Sequence, residues 1–167
     1  DNLFENCVAK DGRRAFTIMM AMAHGNVLHN CVSLGTPRAL SDYHMHLSQT
    51  NLVDVFRGGR NDGWRSYFRL TGVPIPHGIS ATECVYWNVI SDHDPAVHTT
   101  QHGMGYVVGT QGKGRVSLEP IENFEAKPTD HVEGVGRGES MRPYSLYLYQ
   151  KYGMTGPPVA AKWEVIR

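Results

Sequence analysis

The sequence predicts an all-β protein, a right-handed parallel β-helix with about 24 residues per coil. Residues 26–32 repeat the pattern of residues 2–8 at a distance of 24, with Asn and Cys in the same places. Alternate residues in both copies are aliphatic or aromatic, which is the period of a strand and not of a helix. Because so short a repeat buries its apolar side only against neighbouring copies, the coils are expected to stack as a solenoid.

The repeated asparagine predicts how successive coils are joined. Asn6 and Asn30 are 24 residues apart, and Asp54 follows after a further 24. Side-chain amides stacked at a coil corner satisfy backbone groups that a tight bend leaves unpaired. We therefore expect a ladder of Asn6, Asn30 and Asp54. Cys7 and Cys31 should form a buried apolar rung beside it and not a disulfide.

The coils can be placed along the chain in order. Regular coils are expected over residues 1–58, with turns at residues 10–13 and 33–37 and an apolar strand at residues 16–23. Residues 58–76 break the period and should bulge from one corner as a loop, because Asn88 returns to the ladder position after about ten extra residues. A last coil is expected to pass through residues 105–109.

A change of composition divides the chain into two parts. The β-helix is assigned to residues 1–118, and residues 119–167 to an irregular arm rich in Pro, Glu and Gly. No coil is expected between Glu119 and Arg142. Pro143 and Gly153 bracket a short helix that should pack on the end or the side of the solenoid, with a Tyr-rich strand as the alternative.

The first coil is expected to need a cover. It begins directly with a repeat copy, and an open coil end is adhesive unless something covers it. We therefore expect a missing N-terminal segment or a partner chain over residues 1–20. The 16 acidic and 16 basic residues cancel, which argues against nucleic acid and against an anionic membrane surface as partners. No apolar run is long enough to span a bilayer.

The period also predicts a functional column. Tyr43 and His77 lie 11 residues before Asp54 and Asn88, so both should stack on one sheet, one coil apart. If they point outward, they form an exposed patch beside the inserted basic loop. The expected catalytic residues are Tyr43, His44, His46 and His77. The expected substrate-binding residues are Arg65, Arg69, Trp64 and Tyr67.

Four stretches of the chain resemble a known family. They are residues 16–31, residues 41–54 with Ser41-Asp42, His44 and His46, residues 77–88 with His77-Gly78, and residues 145–150 with Ser145-Leu146-Tyr147 and Gln150. These stretches resemble the pectate-lyase-like right-handed parallel β-helix proteins, in a subgroup described as polysaccharide-lyase-like. The resemblance implies a secreted or extracellular, carbohydrate-active protein.

The column contains the groups that a polysaccharide lyase requires. β-Elimination from a uronic acid needs a cation for the carboxylate, a base for the C5 proton and an acid for the leaving oxygen. Arg, His and Tyr supply all three without a metal. The expected function is therefore cleavage of an anionic polysaccharide by β-elimination, without a cofactor.

Two other functions remain open. A glycoside hydrolase needs two facing carboxylates, and no pair stands out among Asp42, Asp54, Asp62, Asp92 and Asp94. A non-catalytic glycan-binding or structural β-helix would need stacking platforms, which Trp64, Tyr67, Trp87 and Tyr106 offer.

A metal site is a further alternative for the same region. His44 and His46 lie on one face of a strand and, with His77 or Asp42, have the ligand types that Zn²⁺ prefers. Asp92, His93 and Asp94 with His98 and His102 form a second cluster that suits Ca²⁺. Neither cluster has the spacing of a known structural zinc motif, so the expectation is no bound metal, with Ca²⁺ as the alternative.

Overall fold

The computed structural model describes residues 1–12, 14–35, 40–44, 47–58, 64–66, 68–69, 78–99, 101, 103–118 and 130–158. These residues form parallel strands that wind into a β-solenoid, with a short 3₁₀ turn at Gly138–Ser140 and one short α-helix. The predicted parallel β-helix is confirmed. None of the described helices is long and apolar enough to cross a membrane.

The described strands, in chain order, are β1 (Leu3–Glu5), β2 (Val8–Lys10), β3 (Arg14–Ile18), β4 (Val27–His29), β5 (Val32–Leu34), β6 (Leu40–Tyr43), β7 (Ser48–Gln49), β8 (Leu52–Asp54), β9 (Trp64–Ser66), β10 (Phe68–Arg69), β11 (Gly78–Ile79), β12 (Ala81–Thr82), β13 (Val85–Ile90), β14 (Val97–Thr99), β15 (Tyr106–Gln111), β16 (Val116–Ser117) and β17 (His131–Glu133). The helix α1 spans Leu146–Tyr152.

Three main parallel sheets form the sides of the solenoid, and β7 pairs in parallel with β12 beside them. The first sheet has the order β1-β4-β8-β13-β15-β17 and the third sheet the order β16-β14-β9-β6-β3. The second sheet begins with β2 and β5 and continues through single pairs of Val32 with Arg57 and of Arg57 with Ile90. Alternate side chains of the strands in these three sheets therefore point into one shared interior.

The interior is filled by columns of like residues from successive coils. In the first sheet Leu28, Val53 and Tyr86 are buried and occupy equivalent positions. Cys31 and Phe56 are buried beside the corner that joins this sheet to the second. Each fully buried side chain of this size contributes roughly 1.5–3 kcal/mol through loss of contact with water, so stacking is the main source of stability.

A left-handed corner follows β1, β4, β8 and β17 of the first sheet and lies within the longer strands β13 and β15. Its residues are Asn6 (φ 57°), Asn30 (φ 49°), Val55 (φ 52°), Asn88 (φ 52°), Gly109 (φ 70°) and Gly134 (φ 65°). Asn and Gly are the residues that adopt this conformation most readily. Asn30 Nδ2 donates to Asn6 Oδ1 at 2.7 Å, which confirms the first step of the predicted ladder.

The predicted place of Asp54 in this ladder is wrong. Asp54 lies opposite His29 in the register of the first sheet, and Val55 occupies the corner. The cause is one extra residue in the second coil, which shifts a count of fixed 24-residue steps by one position. The three cysteines are free. Burial raises the pKa of the Cys31 thiol to about 12, as suits an apolar rung.

A second ladder, which the sequence reading missed, lies at the other end of several first-sheet strands. The backbone N–H of Asn2 donates to Asn26 Oδ1 at 3.1 Å, and that of Asn26 donates to Asn51 Oδ1 at 2.9 Å. Asp130 Oδ1 takes the same role for the N–H of Gly105. In the first two coils the repeated unit is therefore a three-residue strand between two Asn corners that are four residues apart.

Three further expectations need correction. The insertion at residues 58–76 is more than a loop, because it contains β9 in the third sheet and β10 in an antiparallel pair with β11. The region 119–142 does contain a coil strand, since β17 pairs with β15. The apolar run 16–23 is not one strand, because β3 ends at Ile18 and Met20 has a φ of 72°.

The predicted C-terminal helix is confirmed. Ser145 caps its first turn by accepting from the N–H of Leu148, and Gly153 ends it in the left-handed conformation. The helix lies along the side of the solenoid, against the outer face of the first sheet. Trp87 Nε1 donates to the carbonyl of Pro143 at 3.1 Å, so the segment before the helix is held there as well.

Candidate acid–base site on the third sheet

The predicted catalytic residues do not all lie in one exposed patch. Tyr43 is 1% exposed, lies opposite Ile18 and packs edge-on against Tyr86, with ring centroids 5.9 Å apart. Burial raises the pKa of its phenol well above the ordinary value. The expectation that Tyr43 belongs to an exposed patch is therefore wrong, because alternation along β6 turns it into the core.

The structure describes only some of the other predicted site residues. His46, His77 and Tyr67 lie outside the described residues. Trp64 and Arg65 lie on β9 and Arg69 lies on β10. Arg65 is opposite Asp42 of β6 on one side and opposite His98 of β14 on the other. His44 follows β6 directly and is the predicted residue around which a site can be described.

The candidate site is a cluster of Arg14, Thr17, Asp42 and His44. Asp42 Oδ1 accepts from Thr17 Oγ1 at 2.9 Å, and its Oδ2 forms an ion pair with the guanidinium of Arg14. His44 Nδ1 lies 3.2 Å from the same Oδ2 and 2.7 Å from Arg14 Nη1. A carboxylate, a guanidinium and an imidazole therefore meet at one point.

A β-bulge makes this cluster possible. In the pairing of β3 with β6, Arg14 lies opposite Leu40 and Thr17 lies opposite Asp42, so three residues of one strand span two of the other. In a regular strand, residues three apart point to opposite faces. The extra residue turns Arg14 and Thr17 towards the same carboxylate.

Burial differs among the three charged or titratable groups. The Asp42 side chain is 5% exposed, that of His44 is 15% exposed and that of Arg14 is 33% exposed. A carboxylate held this far from water needs a cation and hydrogen-bond donors, which Arg14 and Thr17 supply. The imidazole and the guanidinium form the part of the cluster that meets the solvent.

The geometry allows His44 two tautomers with different chemistry. If Nδ1 carries the proton and donates to Asp42, the lone pair lies on Nε2, as in a general base, and Arg14 Nη1, itself a donor, has to move away from Nδ1. If Arg14 donates to Nδ1, the proton lies on Nε2, as in a general acid. A carboxylate beside Nδ1 also stabilises an imidazolium after the ring has taken up a proton.

A second polar cluster lies beneath the C-terminal helix and serves as an anchor. Asp54 Oδ2 is 2.8 Å from His29 Nδ1 and also accepts from Ser145 Oγ, and its Oδ1 accepts from the N–H of Leu146 at 2.9 Å. Asp54, His29 and Ser145 are all buried. The carboxylate stands between the hydroxyl and the imidazole, so Ser145 has no base and the order of a hydrolytic triad is absent.

The residues named for the alternative metal and hydrolase sites have other surroundings in the structure. Asp94 forms an ion pair with Arg115, which lowers the pKa of that carboxyl. His98 is buried on β14. Within the described residues, no group of three or more His, Cys, Asp or Glu side chains is placed to hold a metal ion. Asp62 and His102, named for the hydrolase and for Ca²⁺, lie outside those residues.

The proposed sugar platforms also differ in exposure. Trp87 is partly covered by the segment that contains Pro143, whereas Tyr106 is 39% exposed on the first sheet. A groove of about 340 Å³ on the outer side of the second sheet is lined mainly by aliphatic side chains, with Arg57 and Asp92 among its polar residues. It carries no aromatic ring and no acid–base pair.

Sequence reasoning missed the roles of Arg14 and Thr17. The sequence suggests Asp42 only as a metal ligand or as a carboxylate of a hydrolase. The distance from Thr17 to Asp42 is 25 residues, close to one coil, and this was the available signal. Arg14 is 28 residues from Asp42, and only the bulge accounts for that spacing.

Comparison with known proteins identified no similar protein. No family model, no curated protein and no solved structure matches the chain. The resemblance to pectate-lyase-like proteins therefore stays a prediction from the sequence, while the β-solenoid stands on the structure itself.

Proposed function

We propose that this protein is a polysaccharide lyase that cleaves a glycan containing uronic acids by β-elimination. The observation that carries the proposal is the cluster of Arg14, Asp42 and His44 at the surface of the third sheet. It combines a base, a group that orients the base and a cation, which are the groups that this reaction needs. The predicted substrate-binding residues of β9 lie on the adjacent strand.

In this proposal His44 is the base. Donation from its Nδ1–H to Asp42 places a lone pair on Nε2, which takes the proton from C5 of the uronic acid. Asp42 is a positioning residue, because it fixes the tautomer and the ring orientation of His44. Its negative charge also stabilises the imidazolium that forms.

The guanidinium groups neutralise the substrate carboxylate. Arg14 offers five N–H donors in a planar fork, so it can hold Asp42 and a second carboxylate together. Arg65, opposite Asp42 on β9, is the second cation of this proposal. Neutralising the uronate makes its C5–H bond more acidic and so lowers the barrier to proton removal.

The atoms of the reaction balance without a cofactor. The C5–H bond breaks, its electron pair forms the C4=C5 double bond, and the C4–O bond breaks as the leaving oxygen takes up a proton. The burial of Tyr43 removes the phenol as the acid for that step. His46 and His77 are the remaining acids that the sequence offers.

The test is a screen of uronate polysaccharides with the full-length chain, following the ultraviolet absorbance of the unsaturated product. His44→Ala should lower kcat at least about 100-fold, the lower end for loss of a general base. Asp42→Asn should lower kcat with KM nearly unchanged, because it orients the base and does not bind substrate. His131→Ala, an exposed histidine of the first sheet, is the matched control and should leave kcat unchanged.

Three outcomes would contradict the proposal. Unsaturated product at an unchanged rate with His44→Ala would remove His44 as the base. New reducing ends without unsaturation would indicate a glycoside hydrolase. Glycan binding without any product would indicate a non-catalytic glycan-binding protein. Thermal unfolding of each variant separates loss of activity from loss of the fold.

A further inference from the structure

We infer that the open edge of the first coil is a docking surface for one kind of partner, a further parallel β-helical coil that carries Asn or Asp at both corners of its strand. β1 and β3 are edge strands of the first and third sheets, and β2 is the edge strand of the second. The three edges belong to the same coil, so the surface extends over three sides of the solenoid.

The backbone of β1 presents hydrogen-bonding groups at this edge. The N–H of Val27 donates to the carbonyl of Asn2, and the N–H of Asn6 donates to the carbonyl of His29. In a parallel pair, alternate residues of a strand bond to the same neighbour. Because residues 2 and 6 bond to β4, the N–H and C=O groups of Leu3 and Glu5 point to the open edge.

The first corner gives this edge an acceptor. Asn2 donates from its backbone N–H and from Nδ2 to Oδ1 of Asn26, and Asn26 donates in the same way to Asn51. Each coil therefore donates to the Oδ1 of the coil that follows it. By the same polarity, the Oδ1 of Asn2 is placed to accept from a coil on the other side.

The second corner gives the edge a donor. Here the ladder runs the opposite way, since Asn30 Nδ2 donates back to Asn6 Oδ1. The Nδ2 of Asn6 is therefore placed to donate to an oxygen at the same corner of a docked coil. One acceptor and one donor, four residues apart, specify both the direction and the register of the incoming strand.

The apolar centre of the edge sets the remaining requirement. Phe4 belongs to the inward column of Leu28 and Val53, yet it is 45% exposed, whereas Leu28 is 2% exposed. A partner strand with an apolar residue midway between its corners would cover Phe4 as β1 covers Leu28. The pattern recognised is Asx-x-apolar-x-Asx, with the strand parallel to β1.

A second copy of this chain fits the surface less well. The described strand nearest the other end of the first sheet is β17, and its corners are Asp130 and Gly134. Gly134 has no side-chain oxygen to accept from Asn6 Nδ2. Head-to-tail stacking of two copies through β17 would therefore satisfy only one of the two ladders.

The test is a titration of the full-length protein with a synthetic peptide of residues 24–35, made with Cys31→Ala to prevent oxidation. This peptide carries the required pattern through Asn26, Leu28 and Asn30. Hydrogen exchange followed by NMR should show slower exchange at the amides of Leu3 and Glu5 and no change at Leu52. A peptide that also carries Asn26→Ala and Asn30→Ala is the matched control.

The expected effect of each ladder bond is measurable. A net hydrogen bond contributes about 0.5–1.5 kcal/mol, so losing one should weaken binding roughly two- to tenfold. Asn6→Asp in the protein keeps the oxygen that accepts from Asn30 and removes the donor at the edge, so it should weaken peptide binding by that factor.

Several results would overturn the inference. Equal binding of the control peptide would show that the edge does not recognise the Asn side chains at the corners of the docked coil. Protection outside the first coil, or no protection at saturating peptide, would show that the edge is not the docking surface. Concentration-dependent self-association of the protein alone, with slower exchange at the amides of Leu3 and Glu5, would make a second copy the occupant.

Discussion

At the scale of single residues, the corner positions decide how coils stack. Asn6, Asn30 and Asn88 adopt a left-handed conformation at low cost and offer an amide to the adjacent coil. Val55 stands at the same corner with φ 52° and is fully buried. A β-branched residue there costs about 1–3 kcal/mol in backbone strain, which burial of its side chain offsets.

The first prediction concerns Asp130, which fills the corner that Asn2, Asn26 and Asn51 fill in other coils. Burial raises the pKa of this carboxyl, while hydrogen bonds from Thr99 and Gly105 oppose the shift. The folded protein therefore holds this proton more tightly than the unfolded chain does. The contribution of Asp130 to stability is then largest below pH of about 4 and declines as the pH rises through the raised pKa.

Asp130→Asn should remove this pH dependence and keep the ladder. Its Oδ1 can accept from Gly105, and its Nδ2 can donate to Thr99 Oγ1, which now acts as an acceptor. We expect a higher free energy of unfolding than that of the natural chain at pH 7 and no difference below pH 4. Urea unfolding across this range tests it, and a variant that is less stable at pH 7 would contradict it.

At the scale of elements, the C-terminal helix is held by a buried carboxylate of the solenoid. Asp54 accepts from Ser145 and from the N–H of Leu146, while the ring of Tyr147 packs over His29 at 5.1 Å between centroids. The helix has seven residues, too few for stability by itself. Its order therefore depends on docking.

The second prediction follows from this dependence. Asp54→Ala should leave His29 and Ser145 buried without their shared acceptor and cost about 3–5 kcal/mol. The helix should detach before the coils unfold, so trypsin should cleave after Lys151 and Arg137 much faster than in the natural chain. Asp54→Asn keeps an acceptor for Leu146 and should have a smaller effect.

The matched control for this prediction is Glu133→Ala, which removes an exposed carboxylate from the same outer column of the first sheet. It should leave the cleavage rate unchanged. If Asp54→Ala and Glu133→Ala behave alike in limited proteolysis, the helix is held by its apolar contacts and not by Asp54.

The helix could be predicted from the sequence because its signals are local. Ser145 at the cap and Gly153 at the end act within one turn, whatever the helix packs against. The antiparallel pair of β10 and β11 and the bulge in β3 had no such local signal. Both depend on which strand becomes the neighbour, and the sequence alone does not contain that information.

At the scale of the whole molecule, the repeat predicts the architecture but not which side chains of each strand point into the core. Coils one and two are 24 residues apart, so the Asn6–Asn30 pair was predicted correctly. The next step is 25 residues, and a fixed count placed Asp54 and Tyr43 one residue from their true positions. The count did not determine which face of its strand Tyr43 occupies, and the structure places this side chain in the core.

The last prediction concerns the distribution of stability along the solenoid. Each coil contacts only its neighbours, so a residue between two coils should contribute more than the same residue at an end. Phe56 is fully buried and packs edge-on against Phe16, with ring centroids 5.5 Å apart, whereas Phe4 is 45% exposed at the open edge.

Phe56→Ala should therefore lower the free energy of unfolding by about 3–5 kcal/mol, the range for a buried Phe. Phe4→Ala should cost less than half as much in urea unfolding. Equal costs would mean that the first coil is covered in solution, and sedimentation of the same samples would then show whether a second copy covers it.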